Sequence, residues 1–469
     1  MKKFILFTCS IAISFQLSAQ QADNWYFGIF AGLNFSASTP AVLTDGKVNT
    51  PEGCSSISDT SGALLFYTDG NNVWNKLHFL MPNGSGLDAG SSATQAALIA
   101  QQPGSNNLYY VFTLDEIGGP LVFRYSIVDM SLQSGLGDVI EKNILLQNSV
   151  TEKLTAVTTY DGSKIWVVVH EWGSNAFYSY ALTASGISTP VISNAGIIHS
   201  TAEIQNTYGQ MKFASCGGLL ALAIGYQDTI EIFDFNLVDG TVSDPITIPI
   251  GYHVYGIEFS PDDSKLYVTN YNPEATLLQF DLTQGSADAI INSKVTLNST
   301  EDLYALQLAP DGKIYVVKSF STYLGIINEP DIAGSGCDFV LNGINLDPNY
   351  TGASAALGLP DFVQSYFDYV HKGCALATTI DEPLSENIVD VFPNPSNGFL
   401  ILNTASLEAG PFNILLTDLA GRTCFLSTEI SSSATTKVKL ASLNNGVYIL
   451  KVTQGKKEFV QKILVSNCN

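Results

Sequence analysis

Basic residues are scarce: 21 Lys and Arg stand against 43 Asp and Glu, leaving a formal net charge of −22. A surface of that sign repels phosphate, which argues against nucleic acid or anionic lipid as a partner and leaves cations, proteins and neutral ligands such as glycans. Histidines are few as well, and the five of them (His78, His170, His199, His253, His371) lie far apart. No HExxH, GxSxG, Walker or GxGxxG arrangement occurs, so no recognised zinc, serine-nucleophile or nucleotide chemistry is written in the chain. The seven cysteines are scattered without a CxxC pair. Disulfides are therefore compatible with an oxidising compartment but cannot be the scaffold, and Cys337 with Cys374 is the expected pair. Long apolar runs are missing beyond the first residues, so no transmembrane helix is expected.

What is present begins with MKKFILFTCSIAISFQLSAQ. Two lysines, an apolar run from Phe4 to about Phe15 and Ser18-Ala19-Gln20 read as a signal peptide over 1–19, too short to span a bilayer and cut after Ala19. Between 24 and 370 helical periodicity is almost absent, while Tyr, Phe, Val, Ile and Thr alternate with Gly, Asn, Asp and Pro turns. That is an all-β reading.

A unit recurs within it. The clearest copies are YGIEFSPDDSKLYVTN (255–270) and YALQLAPDGKIYVVKS (304–319), each a strand, a Pro-Asp turn and a second strand opening on Lys. Weaker copies bring turns near residues 60, 104, 162 and 217. Such a period with strand-turn-strand content marks propeller blades, four-stranded sheets that bury their faces against one another. Six hairpins are visible, and a seventh is expected to be shared by the ends, NWYFGIFAG (24–32) supplying a second strand and LGLPDFVQSYF (357–367) a first. The expectation is an all-β chain with a seven-bladed β-propeller over 20–370.

SPDDSKLYVTN resembles the repeat of YVTN-type β-propellers. The run NWYFGIFAGLNFS, SISDTSGALLFYTDGNNVWN, YSIVDMSL, EKLTAV and LGLPDFVQSYF resembles propeller regions of large secreted Bacteroidetes proteins. The resemblance implies fold and export and carries no activity.

Residues 371–387 are polar and read as a linker. Beyond them, over 388–469, alternating strands divided by Asn-Gly and Gly-Arg turns read as a small Ig-like β-sandwich. This part resembles the type A C-terminal sorting domain of type IX secretion cargo. The matching residues are Pro393, Asn394, Pro395 and Gly398, then Asp418, Gly421 and Arg422, then Gly446 and Tyr448, and finally Lys462 and Val465. The resemblance implies recognition by the type IX machinery, and secretion or display at the outer cell surface after passage through the periplasm. Charge agrees with two modules: residues 385–469 hold seven Lys and Arg against six Asp and Glu, while 20–384 hold 12 against 37.

In a propeller the starts of first strands and the exits of second strands share one face. Tyr208, Tyr255 and Tyr304 occupy equivalent starts, joined by His253 and Glu152, and Asp69, Asp115, Glu116, His170, Glu171, Trp172 and Asp228 stand at the exits. An aromatic and acidic rim can stack sugar rings or hold a cation such as Ca2+. Lys212, Glu258 and Gln307 align inside first strands and suit an ion pair between blades. No catalytic residue is indicated. A glycan- or protein-binding or adhesion propeller is the expected function, with a secreted hydrolase or lyase using a metal in the central channel as the alternative.

Overall fold

The computed structural model describes residues 20–271, 275–298, 301–367, 390–392, 399–403, 411–418, 422–431, 435–440, 443, 446–454 and 457–465. The chain divides into two compact units, 1–378 and 379–469. Among the described residues of the first unit are seven antiparallel sheets, each hydrogen-bonded in chain order like a propeller blade. The first sheet has three strands, Asn24–Phe27, Ala31–Asn34 and Ala41–Leu43. The later sheets open on Ser55–Ser58, Ala97–Gln101, Val150–Thr158, Met211–Phe213, Val254–Phe259 and Leu303–Leu308.

Burial falls from the first strand of a sheet to the last. Val150–Thr158 is buried at every position but its final one, whereas Asp138–Gln147, the last strand of the third sheet, is largely exposed. First and second strands are covered on both faces by neighbouring sheets, so they read as continuous apolar runs rather than as alternation. Val157, Trp166 and Phe177 of the fourth sheet, for example, share one core with Met211, Phe213 and Phe233 of the fifth.

The hairpin between first and second strands explains the repeat. The amide of Gly62, Gly162, Gly217, Asp263 and Gly312 in turn closes a tight turn on the carbonyl three residues earlier. All five sit at positive φ, between 60° and 82°. Glycine reaches that region without a Cβ penalty and Asp tolerates it, which fixes the residue choice.

The two ends meet differently from the expected pairing. NWYFGIFAG is a hairpin in itself, Asn24–Phe27 against Ala31–Asn34, and it meets the end of the unit at the Ile29–Ser354 bridge and where the Trp25 ring lies 5.9 Å from Phe362. Gly28 permits that approach, since a Cβ there would lie 2.5 Å from the Ser354 carbonyl oxygen. Past Ser354 the chain turns to other sheets. Leu357 N–H donates to Pro51 O at 2.7 Å, Asp361 N–H to Cys54 O at 2.8 Å, and Thr158 N–H to Ser365 Oγ at 3.1 Å. Pro360 and Val363 make parallel bridges to Cys54 and Ala156. A strand containing Pro360, which has no N–H, cannot continue the ladder with 24–32, and the segment instead runs among the innermost strands.

The second unit holds a three-stranded and a four-stranded antiparallel sheet whose apolar residues form one core. Tyr448 and Val465 belong to that core, and Arg422 is exposed. The backbone pairs Asp418 with Tyr448, Gly446 with Val465 and Ile449 with Lys462. Pro393, Asn394, Pro395, Gly398 and Gly421 lie outside the described residues.

Candidate functional site

Of the aromatic residues expected at one face, His253, Tyr255 and Tyr304 fall in one series of ring contacts, together with Tyr226 and Tyr271. Tyr226 stacks on His253 with ring centres 3.8 Å apart, and His253 lies 5.8 Å from Tyr271. Tyr271 stacks on Tyr304 at 5.3 Å, and Tyr304 meets the edge of Tyr255 at 5.1 Å. The series runs inward from the surface: Tyr226 is 37% exposed and Tyr255 2%. Asp228 fixes the outer end by bonding His253 Nδ1 at 2.8 Å.

The inner end is acidic. Tyr255 donates its hydroxyl to Glu52 Oε1 at 2.6 Å, and Ser92 Oγ donates to Glu52 Oε2 at 2.8 Å. The Ser92 amide donates to Glu116 Oε2 at 2.6 Å, so one residue bridges two carboxylates. Two residues on, the Thr94 amide and hydroxyl donate to Glu152 Oε2 at 2.9 and 3.1 Å, and Ile117 N–H donates to Oε1 at 3.1 Å.

Glu52 and Glu152 hold their protons unusually well. Burial pushes Glu52 up to about 7, and burial together with the charge of Glu52 pushes Glu152 up to about 8, against the hydrogen bonds that each accepts. Tyr208 is carried up to about 12 by burial and by the charges of Glu152 and Glu52. No ion pair reaches Glu52, Glu116 or Glu152 among the described residues. Lys153 turns its ammonium to the carbonyl oxygens of Thr207 at 2.7 Å and Tyr208 at 2.6 Å, and burial draws its pKa down to about 7.

The other residues read from the repeat have different surroundings. Asp69 Oδ1 accepts from the amides of Asn71 and Asn72 at 2.9 and 2.7 Å, closing its own turn. His170 is buried against His199 at 3.7 Å, and burial draws its pKa down to about 3. Glu171 accepts from the Tyr178 hydroxyl at 3.1 Å, and Asp115 pairs with Arg124 at 3.1 Å. Trp172 N–H donates to Ser149 O at 2.7 Å. Cys337 is a buried free thiol rather than half of a bond to Cys374, Cys216 is disulfide-bonded, and Cys374 lies outside the described residues.

Below the mouth, the terminal segment enters the middle of the ring. Asp361, 2% exposed, accepts from Gln95 Nε2 at 2.9 Å and faces Lys212 Nζ at 3.5 Å. Lys212 also reaches Gln307, and Glu258 at 3.9 Å. Among the described residues no group of three or more His, Cys, Asp or Glu could hold a metal ion.

Glu52, Tyr226 and Tyr271 were not singled out by the repeat. Tyr226 and Tyr271 follow second strands, at exits the repeat already assigns to this face, so their position was available. Glu52 stands just before a first strand and Glu152 near the start of one, but PEG and TEK share no other residue.

Comparison with known families decides the tail. Residues 390–466 match the secretion system C-terminal sorting domain. That match supports type IX secretion cargo and indicates export to the cell surface or secretion. No described helix is long and apolar enough to cross a membrane. No curated protein matches the chain. Among solved structures, a candidate 6-phosphogluconolactonase of Bacteroides fragilis is 12% identical with a TM-score of 0.45, covering 73% of this chain and 98% of its own. The periplasmic gluconolactonase of Pseudomonas aeruginosa is 13% identical with a TM-score of 0.38, over 80% and 98%. The β-propeller domain of Myceliophteria thermophila Cps50 is 10% identical with a TM-score of 0.36, over 64% and 94%. Likeness at that level leaves the activities with those proteins.

Proposed function

We propose that the chain is type IX cargo delivering a binding or adhesion propeller to the outside of the cell. In this reading the first unit is a seven-bladed propeller, and the second is an Ig-like sorting sandwich. The ligand, a glycan or a protein, seats at the mouth where the ring series descends to Glu52. The observation that carries the reading is that series itself: rings from three sheets converge on a partly open face and end on buried carboxyls. A metal-dependent hydrolase acting in the channel is less well supported, because Asp361 and Lys212 fill its middle with a pair of their own.

A glycan array and a panel of surface proteins probed with the purified chain test the proposal. Binding lost in Tyr226→Ala at unchanged melting temperature supports it. A ligand bound equally by that variant contradicts it.

A further inference from the structure

The proposed binding mouth has a charge problem that its own residues leave open. Glu52, Glu116 and Glu152 are gathered by the short stretch Ser92–Thr94, and none has a cation at ion-pair distance among the described residues. Lys153, beside Glu152 in the chain, spends its ammonium on the carbonyls of residues 206–208 instead.

The aromatic side of the mouth is electrostatically matched to the same vacancy in charge. The hydroxyls of Tyr208, Tyr226, Tyr271 and Tyr304 are close enough for each to feel the others or Glu52. Ring faces carry partial negative charge, so tyrosines set around carboxyls attract a cation from every side. A simple metal ion does not suit the geometry, since both carboxylate oxygens of Glu52 and Glu152 and Oε2 of Glu116 already accept from an amide or hydroxyl, and no metal cluster is formed among the described residues. An organic ammonium does suit it, because an ammonium carried on a ring can stack against tyrosine while pointing its N–H donors at the remaining lone pairs.

Resting on the binding reading above, we infer that the mouth takes an amine-bearing sugar, its ammonium held over Glu52 and Glu116 and its ring on Tyr304 and Tyr271. Burial supports this, for Glu52 and Glu152 resist ionisation when nothing positive is near, and a bound cation is the partner that would relieve them.

The test uses the full chain and three probes in calorimetry at pH 7.5: the trimer of glucosamine, the trimer of N-acetylglucosamine, and N-acetyl-trilysine amide. The glucosamine trimer is expected to bind at least about tenfold more tightly than its acetylated counterpart. Its affinity should fall as salt is raised. Glu116→Gln is the informative variant, lowering affinity for the amine about tenfold. Equal binding of the two trimers, lost in Tyr226→Ala, overturns the amine assignment and leaves the binding reading standing. Amine binding untouched by Tyr226→Ala and Glu116→Gln overturns both. Preference for the trilysine probe, or binding of neither trimer, overturns the amino-sugar assignment.

Discussion

Glu52 is where burial and hydrogen bonding oppose each other most openly, and burial wins. Its carboxyl ionises near 4.5 in an unfolded chain and at about 7 in the folded one. Between those values the folded state keeps a proton that the unfolded state has lost, so rising pH favours unfolding, and the loss is complete above about 7. Glu258 and Asp361, raised to about 7 and about 6 by burial, act in the same direction. These carboxyls lower stability from pH 5 to 7.5 while the buried neutral His170 acts the other way up to about 6.5, so the expected outcome is that Glu52→Gln raises stability at pH 7.5 relative to pH 5, compared with wild type, by on the order of 3 kcal/mol in denaturant unfolding. A variant with the wild-type slope would show that Glu52 titrates elsewhere. Tyr255→Phe removes the donor on Glu52 Oε1, with an expected cost of roughly 1–3 kcal/mol in the same assay. At this scale Tyr208, Tyr255, Tyr304 and His253 were legible because a repeat places equivalent residues at equivalent height. Glu52 was not, because its partners Ser92 and Tyr255 are 40 and 203 residues away.

Among the elements, the hairpins were the most legible, since a turn at positive φ restricts the residue choice to Gly or Asp and so leaves a mark at each repeat. The segment 353–367 was the least. Its apolar letters suit a strand, yet Pro360 ends any ladder and Asp361 is committed to Gln95 and Lys212. That commitment makes Lys212 a clasp between the fifth sheet and the chain's return. Lys212→Ala would leave Glu258 and Asp361 buried without their cation, an expected loss of roughly 3–5 kcal/mol by urea unfolding. Lys212→Ala unfolding like the wild type would mean that the segment is held by its backbone bonds alone. Deleting 24–34 removes both the Ile29–Ser354 bridge and the face against which Tyr315 packs, and is expected to unfold the whole unit in one transition at lower temperature.

For the molecule as a whole, two modules of different charge were visible because the acidic excess stops where the tail begins. The tail was legible in its motifs, and its match over 390–466 carries the export route. The mouth was legible only as a face, because its chemistry depends on which side chains cross the ring. The most direct measurement of the central claim is therefore fractionation of the native host producing the chain cut after residue 378. The expected result is a folded first unit, protease-resistant and held in the periplasm, with none in the medium or on the surface. Undiminished delivery of the truncated chain outside the cell would contradict export through the tail.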